Sequence, residues 1–142
     1  MYHDILLAVD LSEAKPQAKA VETAVVLARS FSATLHVITV VPDFGTSMVA
    51  SFFPKDYEKT ALEHADRALH AFVAEHVPDD ISVQHIVGHG SIYREIIHYA
   101  GQTGCDLIVM SSHRPELSDY LLGPNAARVV RHATQSVMVV RE

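Results

Sequence analysis

Five apolar runs of strand length, Ile5–Val9, Leu35–Val41, Ile81–Val87, Leu107–Met110 and Val137–Val140, alternate along this chain with stretches of helical periodicity. Strand and helix in strict alternation predict a series of βα units around a parallel sheet, because parallel neighbours can be joined only by a crossover. Four of the runs are dominated by Val, Ile and Leu and bounded by polar or turn residues, as strands covered on both faces should be. The exception, Ser82-Val-Gln-His-Ile-Val87, alternates polar with apolar residues. It reads as an edge strand with one wet face.

The helical stretches carry their own stripes. Val21, Ala24, Val25, Ala28 and Phe31 recur at helical spacing, with Ser12 before Glu13 as an N-cap and Pro16 in or near the first turn. Leu62, Ala65, Leu69, Phe72 and Val73 form a second stripe that Pro78 ends. A third helix is expected from about Ser91 to Gly104, with Ile92, Ile96, Ile97 and Ala100 toward the sheet and Gly104 as its left-handed cap. A fourth starts near Pro124 and buries Ala126, Val129, Val130 and Ala133. Only Pro42 to Asp56 breaks the rhythm, mixing Gly45, Pro54, Met48 and aromatics without either period. So long a connection is read as a lid or partner contact, or as a plain connecting loop.

With 142 residues, 49% of them hydrophobic, the chain is expected to form one domain with a sizeable core. A formal charge of −6 with scattered basic residues lacks the footprint of nucleic-acid binding. Met1-Tyr-His-Asp leads directly into the first apolar run, which does not read as a signal peptide, and no run is long enough to cross a bilayer. One cysteine, Cys105, cannot form an internal disulfide. The expected address is the cytoplasm.

Chemistry concentrates in the last third. The buried run ending at Met110 enters a polar loop, Ser111-Ser-His-Arg-Pro115, which returns through Gly123 to a helix start. Backbone N–H groups there lack helical partners and the helix dipole adds positive charge, so a phosphate is the natural occupant. Asp10, at the end of the first strand, either contacts the ribose or a Mg2+ shared with the phosphates, or caps the first helix or pairs with a basic side chain. Gly88-His89-Gly90 either lets the backbone approach a ribose or phosphate or makes a plain turn. His64/His70 lacks the i, i+3 or i, i+4 spacing of a helical metal pair, and no Cys or carboxylate cluster accompanies it or His85/His89 at ligand spacing, so no metal site is expected. No Walker lysine motif, Gly-x-Ser-x-Gly elbow or base beside a nucleophile is present.

Ile5-Leu-Leu-Ala-Val-Asp10-Leu-Ser12, Leu35-His-Val-Ile-Thr-Val40, Gly88, Leu117-Ser-Asp-Tyr-Leu-Leu-Gly123, Arg131-His-Ala133 and Val137-Met-Val-Val140 together resemble the universal stress protein family over essentially the whole chain. The resemblance implies an open five-stranded parallel sheet of order 3-2-1-4-5, Rossmann-like, with two helices on each face. It also implies a homodimer paired through the last strand. Function follows as a stress-response switch or sensor that binds an adenine nucleotide, ATP with Mg2+, and presents an altered surface to a protein partner. Slow ATP hydrolysis is the most catalysis expected, with a non-binding interaction module and an adenylyl-transferring enzyme as the rival readings.

ATP-binding members of that family carry a Gly, two residues, a second Gly, nine residues, and a Gly followed by Ser or Thr. Here Ser111 stands at the first Gly, His113 or Arg114 at the second, and Gly123 is followed by Pro124. Losing two hydrogen bonds to a charged phosphate costs roughly 1.5–3 kcal/mol each. Ser112, His113, Arg114 and Asn125 supply the types of group that compensate, and Arg binds phosphate bidentately. The resemblance also places Ala8, Val9 and Val40 against the base, and Met110 at the strand end facing Asp10. The Ser-His-Arg-Pro loop is similar to a subgroup taken to retain nucleotide binding.

Overall fold

Ile5, Leu6 and Leu7 offer no polar face, so the strand that holds them needs cover on both sides. In the computed structural model, which describes residues 1–12, 17–42, 57–112 and 123–142, this strand is β1 (Asp4–Ala8), and all three side chains are fully buried. β2 (Thr34–Pro42) and β4 (Leu107–Ser112) flank it, β3 (Val83–Gly90) lies beyond β2, and β5 (Ser136–Arg141) lies beyond β4. Every pairing is parallel, giving the order β3-β2-β1-β4-β5. Ile5 pairs with both Leu35 and Leu107, so the register aligns the most apolar part of each inner strand.

Alternation along the strands divides the core into two layers. Ile5, Leu7, Leu35, Val37, Leu107 and Val109 face α1 (Ala18–Phe31) and α2 (Tyr57–His76). Leu6, Ile38, Ile108 and Met110 face α3 (Ile92–Gln102) and α4 (Pro124–His132). Two helices thus cover each face, as the βα alternation requires. α3 closes as expected on Gly104, whose φ is +67. The Gly104 N–H donates to the Gly101 carbonyl at 3.3 Å and the Cys105 N–H to the Ala100 carbonyl at 2.9 Å, the two bonds of a Schellman ending.

The structure revises several boundaries. β3 begins at Val83 and runs on to Gly90, and β4 continues past Met110 to Ser112. Ser12 does not cap α1: the described helix begins at Ala18 with Gln17 at its N-cap, and Ser12 instead folds back on Asp10. Val130 is 47% exposed rather than buried, because the nine-residue α4 turns only Ala126 and Val129 fully inward. Residues 43–56, on which the lid reading falls, and Pro16 lie outside the described residues.

Polar anchors sit at the amino ends of the strands. The Asp106 carboxylate accepts from the backbone N–H groups of His3 and Asp4 at 3.0 and 3.2 Å. Burial pushes its pKa up, but those bonds outweigh burial and hold it below the usual carboxylate value. Cys105 is buried with its Sγ 3.1 Å from Thr103 Oγ1. Burial, with smaller effects of Asp4 and Asp106, pushes the thiol up to about 11 against the pull of Thr103. A thiol so protonated is a poor nucleophile, in keeping with a packing role.

Candidate functional site

In this strand order the winding reverses between β1 and β4, and the helices that follow them, α1 and α4, lie on opposite faces of the sheet. A crevice must open there. The structure has one of about 1300 Å³, large enough for a nucleotide-sized ligand. Its described lining brings together residues far apart in sequence: Ala8 to Ser12 from β1 and the turn after it, Ile38 to Pro42 from β2, Met110 and Ser111 from β4, and Gly123 to Ala126 from the start of α4.

The β1 exit forms the floor, and most of its backbone is already committed. The Val9 N–H donates to the Ile38 carbonyl at 2.9 Å, so Val9 offers a ligand its side chain and carbonyl but no donor. The Asp10 N–H donates to Gln17 Oε1 at 2.7 Å while Gln17 Nε2 donates to the Asp10 carbonyl at 2.6 Å. Gln17, only 3% exposed, thereby clasps the turn to the head of α1. The Asp10 carboxylate accepts from the N–H and the hydroxyl of Ser12 through Oδ1, at 3.0 and 2.6 Å. That is an Asx turn, and among the described residues Asp10 makes no ion pair. Oδ2 makes no hydrogen bond among the described residues, and one carboxylate oxygen at the cleft is what a Mg2+ held mainly by phosphates and water asks of a protein.

The opposite wall is the start of α4. Gly123 stands at the N-cap with an ordinary φ of −57, and a Cβ added there would meet nothing within 4 Å. Neither backbone conformation nor packing therefore demands glycine, and its effect is to leave the wall bare where the helix begins. Pro124 takes the first helical position, where the missing N–H would have had no helical partner. The N–H groups of Asn125 and Ala126, both lining residues, remain as helix-start donors. No acidic residue lies in this first turn, and Arg131 and His132 end the helix, which leaves its dipole pointed at the cleft.

Of the residues expected at the site, Ala8, Val9, Asp10, Val40, Met110, Gly123, Pro124 and Asn125 line the cleft. Gly88 and Ser112 do not belong to its lining. Gly88 is buried opposite Val40, and a Cβ there would approach Glu95 Cβ to 3.2 Å and Val40 Cγ2 to 3.4 Å. This glycine lets α3 pack on β3, where Glu95 Oε1 accepts from the His89 N–H at 2.9 Å. Ser112 stays in the sheet opposite Arg141, while Met110 and Ser111 before it are the β4 residues that line the cleft. His113 and Arg114 lie outside the described residues.

Other lining residues escaped the sequence reading. Thr39 is buried on β2, and Ala61, His64, Ala65 and Ala68 of α2 close the side of the cleft. The small residues at 61, 65 and 68 recur at helical spacing beside His64, a signal of a face left open to something other than the core. Among the described residues no group of three or more His, Cys, Asp and Glu is arranged to hold a metal ion. No helix of the described residues is long and apolar enough to cross a membrane.

Comparison with known proteins agrees with this geometry. The sequence model of the universal stress protein family matches residues 1–141. Universal stress protein G of Escherichia coli O157:H7 is 32% identical over 143 residues, covering 99% of this chain and 100% of that protein. Among solved structures, a universal stress protein of Lactobacillus plantarum superimposes with a TM-score of 0.70 at 26% identity, covering 99% of this chain and 98% of the other. Two more distant structures share the fold at TM-scores of 0.60 and 0.61 and 22% and 17% identity, each covering 99% of this chain and 97% and 98% of their own. The first is a universal stress protein in complex with cAMP, the second one from Archaeoglobus fulgidus in complex with dAMP. A family match that runs the length of the chain, on a sheet whose order and crevice were built above from its residues, establishes that this chain belongs to the universal stress protein family.

Proposed function

We propose that this chain is an adenine-nucleotide-binding stress switch, taking ATP with Mg2+ in the cleft between β1 and β4 and altering with occupancy what it offers a protein partner. The observation that carries the reading is the bare start of α4: two helix-start N–H groups with no partner among the described residues and a glycine without steric need for one, facing the Asp10 carboxylate across one crevice. Phosphates would sit at α4, Mg2+ between them and Asp10 Oδ2, and the base against Ala8, Val9 and Val40. The cAMP and dAMP complexes of more distant relatives support an adenine nucleotide as the ligand class. Ser112, His113 and Arg114 of the Ser-His-Arg-Pro loop supply the remaining phosphate contacts in this reading, Ser112 by a shift out of its sheet position.

Binding is preferred to turnover because Asp10 and His64 are the titratable side chains among the described lining residues, and Asp10 Oδ1 is held by Ser12. We further propose a single domain, a cytoplasmic address and a homodimer paired through β5, whose Met138 is 38% exposed at the sheet edge. The test is thermal shift with ATP and Mg2+, with and without Arg114→Ala. Stabilisation that weakens in the variant supports the loop as a phosphate cradle. No stabilisation at millimolar nucleotide would transfer the chain to the non-binding interaction class.

A further inference from the structure

The histidines that fail as metal ligands meet elsewhere. His70 of α2 and His85 of β3 stack face to face, with ring centroids 3.8 Å apart and planes 10° from parallel. His70 Nδ1 lies 2.9 Å from the Asp66 carbonyl, an atom that only accepts, so Nδ1 carries the proton of the neutral ring. The Asp66 carboxylate lies 3.5 Å from the same nitrogen. On the sheet side, the neighbour of His85 in register on β2 is the apolar Val37. About three turns of helix away, the first turn of α2 is tied separately, with Glu58 Oε1 3.1 Å from His89 Nδ1 of the same strand. Between these two attachments lie Ala61, His64, Ala65 and Ala68, which close the cleft.

We propose that α2 is an acid-responsive wall of the cleft, seated on the edge strand by the His70–His85 stack and released when both rings carry a proton. Neutral imidazoles pack face to face, and a single charged ring in the stack meets no like charge there. A second puts like charges in contact in a half-buried seam, which α2 relieves by moving off β3. The Glu58–His89 contact holds the first turn of α2 to the strand, so it is the middle of the helix that swings. Burial, then the charge of His70, lowers the pKa of His85, while Asp66 raises it. With the folded-state value lowered, the seam's stability is complete above the ordinary histidine value of about 6.5 and is lost as pH falls below it.

Amide hydrogen exchange on the full chain without ligand, at about pH 7.5 and about pH 5.5 and corrected for intrinsic exchange, tests this across the window in which histidine titrates. The expected result is about a tenfold loss of protection in residues 61–76 at the lower pH, the most that one histidine can withdraw at one pH unit below its ordinary value of about 6.5, with β1 and β4 unchanged. His85→Phe keeps a stacked ring that cannot be charged and should abolish the loss, and His70→Phe should do the same if the first variant does not fold. Equal protection of wild-type α2 at both pH values overturns the proposal, as does an undiminished loss in either variant or a parallel loss in β1 and β4. Any consequence for a bound nucleotide rests on the function proposed above. The exchange result does not, so the two readings fail separately.

Discussion

Replacing Gln17 with Leu tests how the floor of the cleft is held in shape. The side chain closes a reciprocal pair with the backbone of Asp10, at 2.7 and 2.6 Å, and is itself 97% buried at the head of α1. Leu fills a similar volume but neither accepts nor donates. Two bonds at about 0.5–1.5 kcal/mol each set a loss of about 1–3 kcal/mol when water can reach the abandoned groups, as it can at the exposed Asp10. In a chain of 142 residues, 1 kcal/mol moves the melting temperature by about 3 °C, so a fall of roughly 3–10 °C is expected. Urea unfolding followed by circular dichroism reads the free energy directly. The larger effect should be on the site, because Asp10 is the carboxylate proposed to face Mg2+ and its turn is no longer clasped. Gln17→Glu keeps the acceptor and loses the donor, and should fall between wild type and Leu. Stability of Gln17→Leu within about 0.5 kcal/mol of wild type, a surface-substitution effect, would refute the reasoning.

Other expectations follow from the same geometry. Gly88→Ala forces a Cβ to 3.2 Å from Glu95 Cβ, and should destabilise by about 1–3 kcal/mol in urea titrations. Cys105, with its thiol pushed up to about 11, should resist a disulfide reagent at neutral pH and react fully only after denaturation; rapid reaction of the native protein would contradict its burial. Met138→Lys on the proposed dimer edge should give monomer or insoluble protein in light scattering, and an unchanged dimer would place the interface elsewhere.

The sheet was legible because its cause is local. Ile5-Leu-Leu and Leu107-Ile-Val can be satisfied only by cover on both faces, and the alternation of Ser82 to Val87 marks the edge that β3 occupies. The order 3-2-1-4-5 was less local and came from family resemblance, after which β1 and β4 had to flank the crevice. What escaped depends on who faces whom. Gly88 resembles a ligand-approach glycine in sequence, yet its reason is the side chain of Glu95 in the next helix. Ser111 and Ser112 are indistinguishable by type, and only the extra length of β4 decides which reaches the cleft. Gln17 carried no motif, because its partners are backbone atoms seven residues away. The stack of His70 on His85 joins a helix to a strand that the sequence gives no means of aligning.

Isothermal titration of the purified protein, stripped of bound ligand, with ATP, ADP and AMP in the presence of Mg2+ is the most direct test of the central claim. The account predicts saturable heat that strengthens as phosphates are added, and that weakens in both Arg114→Ala and Asp10→Ala. Absence of heat with all three nucleotides, from protein whose melting curve shows it folded, would contradict nucleotide binding and leave the cleft to another use.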